Sequence, residues 1–125
     1  MLKVVAKTAD YTVVRIADFR TLHTNSGAAG TITFTLPPAI AGDETGVFYT
    51  ATAQLVRVKP AAGEKFTLTF ASGTLNALGT AAPADQTADK YLEASAVVGS
   101  SIRFRCNETG KWTPIEKTGT WTIQV

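Results

Sequence analysis

Thr31-Ile32-Thr33-Phe34-Thr35-Leu36 alternates polar with apolar residues without a break. Side chains along an extended strand point to opposite faces in turn. This segment therefore buries Ile32, Phe34 and Leu36 on one side and wets its threonines on the other. The same alternation returns in Phe66-Thr67-Leu68-Thr69-Phe70 and in Ser101-Ile102-Arg103-Phe104-Arg105-Cys106. No stretch carries an apolar stripe at 3.6-residue spacing long enough for a substantial helix. The chain reads as all-β.

Outward from the first of these segments, the pattern divides the chain into short strands and turns. Leu2 to Ala6 and Tyr11 to Ile16 read as a first strand pair or an extended arm, and residues 1–20 as an extended arm or edge strands. His23-Thr24-Asn25-Ser26-Gly27-Ala28-Ala29-Gly30 reads as a loop, since Asn and Gly tolerate positive φ. Pro37-Pro38 stops the Thr31–Leu36 strand, because proline donates nothing to a ladder. Ala39 to Gly46 is a connection with an acidic tip, Asp43-Glu44. Val47 to Thr52 and Gln54 to Lys59 form one long strand or two short ones, ended by Pro60 and the turn Ala61-Ala62-Gly63-Glu64.

Residues 72–89 are rich in Gly, Ala and Thr and read as a long surface loop, with room for one short strand near Leu75 to Leu78. Lys90 to Ala94 and Ser101 to Cys106 are further strands. Asn107-Glu108-Thr109-Gly110 is a turn whose glycine supplies the left-handed position. A short hairpin loop at Glu116-Lys117-Thr118-Gly119 would set Trp112 opposite Trp121, and a last strand runs from Trp121 to Val125. About eight short strands with turn signals at this spacing predict one β-sandwich domain over residues 1–125, of jelly-roll type. An up-and-down barrel is the alternative.

The composition fits one domain of 125 residues and 13.2 kDa. Charged residues make up 18%, below the usual value of about 25%. Threonine, with about 20 copies, fills many of the places that charges would take, as suits a wet strand face. A net charge of +2 and a pI near 8.8 are too mild to point to nucleic acid. Cys106, the single cysteine, allows no internal disulfide framework. Its phase with Ile102 and Phe104 makes it a small buried hydrophobe. The N-terminus lacks the apolar core of a signal peptide, and no run reaches the roughly 18 residues of a membrane span. These features predict synthesis in a cytoplasm and no membrane partner.

No phosphate loop, dinucleotide-binding glycine pattern, zinc spacing or nucleophile elbow is present in the sequence. A catalytic triad would have to use His23, the only histidine, which reads as a surface loop residue. Asp43-Glu44 and Asp85/Asp89 read as solvated acids, since a calcium site needs six to eight oxygens around a fixed loop. Asn107-Glu108-Thr109 fits a glycosylation acceptor but reads as a hairpin turn. The expectation is no enzyme, with no catalytic, metal or cofactor-binding residue.

Two surface features remain. Arg57/Lys59 and Arg103/Arg105 are each spaced two apart on a strand, so each pair shares a face, with Val56/Val58 and Phe104/Cys106 turned inward. On neighbouring strands they would form a basic stripe suited to an acidic protein surface. With Lys3 and Lys7 of the N-terminal segment they are the candidate partner contacts. Trp112 and Trp121 are either packed in the core or form a stacking platform for a sugar.

Most of the chain after residue 20 resembles a family of small virion proteins of tailed bacteriophages. The resemblance runs through Thr24-Asn25-Ser26-Gly27-Ala28, Thr31 to Pro37, Gly42, Val56 to Gly63 and Lys90-Tyr91. It closes with Gly99-Ser100-Ser101-Ile102, Cys106, Gly110-Lys111-Trp112 and Gly119-Thr120-Trp121. It implies a capsid decoration (cement) protein with a β-sandwich or jelly-roll fold, commonly trimeric and bound to the major capsid protein at the outer surface of the virion. The alternative is a tail-fibre or tail-tip module that binds a host-surface glycan or protein, with Trp112 and Trp121 as its contacts. The resemblance brings no catalytic motif and no cofactor.

Overall fold

The computed structural model of the chain describes residues 2–68, 70–71, 74–75 and 84–124. Fourteen short strands are found among them: β1 (Lys3–Ala6), β2 (Tyr11–Thr12), β3 (Thr21–Thr24), β4 (Ile32–Thr35), β5 (Val47–Tyr49), β6 (Val56–Lys59) and β7 (Lys65–Leu68). They continue as β8 (Phe70–Ala71), β9 (Thr74–Leu75), β10 (Ala84–Asp85), β11 (Leu92–Ala94), β12 (Ser101–Glu108), β13 (Lys111–Thr118) and β14 (Trp121–Ile123). The described residues contain no helix.

The strands form two seven-stranded sheets, in the orders β1-β3-β5-β12-β13-β7-β10 and β2-β4-β6-β11-β14-β9-β8. Odd strands at the start of the chain fall in one sheet and even strands in the other. The chain therefore crosses between sheets at every step, and each return lands beside the previous strand of that sheet. β1, β3 and β5 lie parallel to one another, and so do β2, β4 and β6. Parallel neighbours need a crossover of a dozen or more residues, and here a strand of the opposite sheet takes the place of the usual helix.

All-β and two-sheeted, the molecule meets the coarse expectation. The pairing differs from a jelly roll, which is antiparallel, because five of the pairings among the described residues are parallel. In the N-terminal segment β1 and β2 are edge strands that do not pair with each other. β1 adds to β3 and β2 to β4, so the two strands sit at the edges of different sheets. Val47–Lys59 is two strands, one per sheet. Of the expected loop over residues 72–89, β9 and β10 are described, while residues 76–83 lie outside the described residues.

Alternation does set which side of each strand is buried. In β4, Ile32 and Phe34 face inward; in β6, Val56 and Val58; in β12, Ile102, Phe104 and Cys106. These side chains join Phe48, Phe66, Leu68, Leu92, Trp112 and Trp121 in one apolar core fed by both sheets. Phe34 of one sheet meets Phe48 of the other at 5.3 Å between ring centroids, and Phe104 links Phe48 to Phe66. Offset aromatic contacts of this kind add to simple burial.

Two close approaches fix the frame. Gly46 runs so near the start of β3 that an added Cβ would lie 2.0 Å from the Thr21 carbonyl oxygen, so no larger residue fits. Gly110, at φ +88°, closes the β12–β13 hairpin as its sequence predicts.

The tryptophans are not a cross-strand pair. Trp112 lies on β13 opposite Phe66 of β7, whereas Trp121 lies on β14 in the other sheet, opposite Ala94 of β11. The residues between them carry the chain from one sheet to the other, so they cannot close a hairpin.

Candidate functional site

His23 departs furthest from its sequence reading. It lies on β3, 1% exposed, stacked on Phe48 at 5.3 Å and flanked by Phe34 and Tyr11. Its Nδ1 is buried with no hydrogen-bond partner among the described residues. The charged and titratable neighbours are Tyr11, Asp18 and Lys7. The Tyr11 hydroxyl donates to Asp18 at 2.7 Å, and the Lys7 ammonium sits 3.7 Å above the Tyr11 ring. Burial pushes Asp18 up, but the Val14 amide and the Tyr11 hydroxyl outweigh it and hold the carboxylate below its ordinary pKa. Burial, against the opposing pull of Asp18, drives the His23 pKa below its ordinary value.

A neutral buried imidazole has a consequence for stability. Because the folded pKa lies below the unfolded one, the unfolded chain takes up the proton first. The stabilisation is then fully present above about pH 6.5 and is lost as pH falls, by about 1.4 kcal/mol per unit until the folded pKa is reached. Chemical denaturation between pH 7.0 and 5.5 is expected to show this slope, and His23→Phe to flatten it. An equal slope in both proteins would remove His23 as the cause. Among the described residues no serine or carboxylate is hydrogen-bonded to the ring, which packs in the aromatic part of the core.

The basic pairs do turn their charges outward, but they do not meet. Arg57 and Lys59 are on β6 in one sheet, and Arg103 and Arg105 on β12 in the other. Three of the four charges are answered within the chain. Arg57 bonds to Glu93 on the adjacent strand and lies 4.4 Å above the Tyr91 ring. Arg103 pairs with Glu116 at 2.8 Å, and Arg105 with Glu44 at 2.8 Å. Lys59 has no ion pair among the described residues. The single basic stripe expected from sequence is thus corrected to two separated and largely neutralised faces. The sequence spacing could not reveal this, because Glu44 lies 61 residues from Arg105 along the chain.

Trp112 and Trp121 are both fully buried, and their indole N–H groups are spent on Pro37, Ser101 and Thr118 carbonyls. Neither presents a ring to a sugar, so the stacking platform is ruled out by burial. Cys106 is buried and gives its thiol to the Glu108 carbonyl at 3.2 Å, and burial pushes its pKa up, away from reactive thiolate. Asp43 pairs with Arg15, and Asp85 with Lys111. No cluster of metal-ligating side chains occurs among the described residues.

What the surface does offer is apolar. Leu2, Val4, Val14 and Ile16 are exposed within the first sixteen residues, Val4 by 65% and Ile16 by 61%, and Ile40, Val97 and Val98 are exposed elsewhere. Beside Leu2 lies an open groove of about 530 Å³, whose lining includes Phe19, Val47, Arg20, Glu44 and Arg103. Lys3 lies on β1 and Lys7 just after it. Ile16 adopts φ +67°, a left-handed conformation rare for a β-branched residue. Its turn is held by Asp18, which accepts from the Val14 amide, and by the Arg15–Asp43 pair. Sequence reading missed this because an isolated exposed apolar residue has no periodic signature.

No known family model, curated protein or solved structure matches this chain.

Proposed function

We propose that this chain is a structural virion protein of a tailed bacteriophage, a decoration protein that binds the major capsid protein at the outer surface of the shell. It acts there as a homo-oligomeric, trimeric β-sandwich, built by winding between two sheets. The observation that carries the reading is the distribution of the surface. Most outward charges are paired internally, while Leu2, Val4, Val14 and Ile16 are left in water within the first sixteen residues. Large apolar side chains kept exposed in this number support a protein contact.

The mechanism is mass action. A protein that binds the assembled shell and not its separated subunits shifts the equilibrium toward assembly. A closed oligomer adds the high effective concentration of linked attachments.

Ile16 separates contact from fold. Ile16→Gly is expected to relieve left-handed strain and raise stability by about 1 kcal/mol, net of the backbone entropy of glycine. The same substitution is expected to weaken attachment to the shell. Thermal unfolding and co-sedimentation with capsids read the two effects; attachment unchanged or stronger would remove Ile16 from the contact. Quantitative mass spectrometry of purified virions tests the reading as a whole. Copies in a simple ratio to the shell subunit support decoration. A few dozen copies or fewer would move the chain to the tail, and absence from the particle would end both readings.

A further inference from the structure

β1 is the outermost strand of its sheet, with nothing paired to its outer side among the described residues. Its inner side is fixed by the Lys3 amide, which donates to the Arg20 carbonyl at 3.0 Å, and the Lys7 amide, which donates to that of Thr24 at 2.8 Å. Backbone groups along a strand alternate in direction. With Lys3, Val5 and Lys7 turned to β3, the amides and carbonyls of Val4 and Ala6 point away from the sheet.

The side chains beside this edge are apolar. Val4 stands in register with Leu22 of β3, and Leu22 with Val47 of β5. The next row, Val5, His23 and Phe48, faces the core, so Val4, Leu22 and Val47 share the outer face. Val47 then leads into the groove that Leu2 and Phe19 also line. A free hydrogen-bonding edge continuous with an apolar row is the geometry that accepts an added strand.

The lysines decide what that strand is. Lys3 and Lys7 bracket the free groups, and neither has an ion pair among the described residues. A second copy laid antiparallel across β1, centred on Val5, would set Lys3 against Lys7 of its neighbour, and like charges directly opposite destabilise a pair. A parallel neighbour in register would set lysine beside lysine. The edge is therefore protected against its own kind and electrostatically complementary to an acidic segment. We infer that β1 binds by strand addition an extended segment of a partner protein, apolar where it meets Val4 and acidic where it meets Lys3 and Lys7. This inference rests on the decoration reading only for the partner's identity.

The test uses the full chain and two synthetic peptides, acetyl-Asp-Val-Thr-Val-Asp-amide and its counterpart with lysine at both ends. Amide NMR spectra are expected to show Val4 and Ala6 shifting and gaining exchange protection with the acidic peptide, and affinity about tenfold weaker for the basic one. Val4→Pro removes a donor that β3 does not use, and should abolish binding. Lys3→Glu, which needs no backbone change, should reduce or reverse the peptide preference. Unmoved Val4 and Ala6 amides at millimolar peptide, or equal binding of both peptides, would overturn the inference. So would protection of Val4 that grows with protein concentration alone, which would give the edge to a second copy. The peptides test this edge without any virion, and virion copy number tests decoration without any edge variant, so either reading can fail alone.

Discussion

Asn25→Leu is expected to cost about 4 kcal/mol and to lower the melting temperature by about 15 °C. Asn25 is wholly buried just after β3, at the start of the crossover to β4. Its Oδ1 accepts from the Ala51 and Thr52 amides at 2.8 and 3.0 Å. Its Nδ2 donates to the Thr52 and Gln54 carbonyls at 3.1 and 3.4 Å. One side chain thus ties its own crossover to the one that leads from β5 to β6. Leucine has nearly the same size but satisfies none of these four groups. Each backbone group left buried without a partner costs about 1–3 kcal/mol, reduced where water reaches it. Ser26→Ala, at the exposed neighbour, should stay within about 0.5 kcal/mol. Thermal denaturation followed by circular dichroism gives the comparison, and hydrogen exchange should show Ala51 and Thr52 losing protection. A loss under about 1 kcal/mol for the leucine variant would mean that the crossovers do not need this brace.

That asparagine shows where sequence reading reaches its limit. Asn25 reads as a loop residue tolerant of positive φ, yet among the described residues the positive-φ positions other than glycine are Ile16 and Asp89. Its value lies in partners 26 to 29 residues away, which no local pattern encodes. His23 fails for a related reason. His23 reads as the start of a polar surface loop, but it lies on a strand with a parallel neighbour on each side and packs among aromatic rings. By contrast, Ile32, Phe34, Val56, Val58, Ile102, Phe104 and Cys106 were legible, because strand alternation is a two-residue property of the backbone itself. Strand order is not such a property. The parallel winding of β1 to β6 follows from which strands meet across the fold, and the turn signals between them look the same in an antiparallel chain.

The surface follows the same division. Spacing placed Arg103 and Arg105 correctly on one outward face, and the fold then supplied Glu44 and Glu116 to neutralise them. Lys3 and Lys7 read as contacts of an arm or of edge strands. The fold makes them the flanks of one edge strand, which turns a diffuse positive segment into a specific arrangement of charge around two free backbone positions. A contact built this way gains register from hydrogen bonds and selectivity from charge, while the apolar row supplies most of the affinity.

Trp121→Ala is expected to cost about 3–5 kcal/mol, a large share of the roughly 5–15 kcal/mol that holds a domain of this kind together. Trp121 is fully buried on a strand of only three residues, and its indole N–H is shared between the Ser101 and Thr118 carbonyls, each at 3.1 Å. Both acceptors belong to the opposite sheet, on β12 and β13. The side chain therefore fills the core and fastens one sheet to the other at the same point. Truncation leaves a cavity between the sheets and takes the indole N–H away from both carbonyls. Trp121→Phe keeps most of the ring and loses only the N–H, so it should cost about 1–2 kcal/mol. The difference between the two variants measures packing apart from hydrogen bonding. Trp112→Ala belongs in the same range as Trp121→Ala, since Trp112 is equally buried and bonds to the Pro37 carbonyl at 3.2 Å. Fluorescence of the unmodified chain should be blue-shifted and indifferent to added sugars. A red-shifted emission that moves with sugar, together with a stable Trp121→Ala variant, would return both tryptophans to the surface and reopen glycan binding.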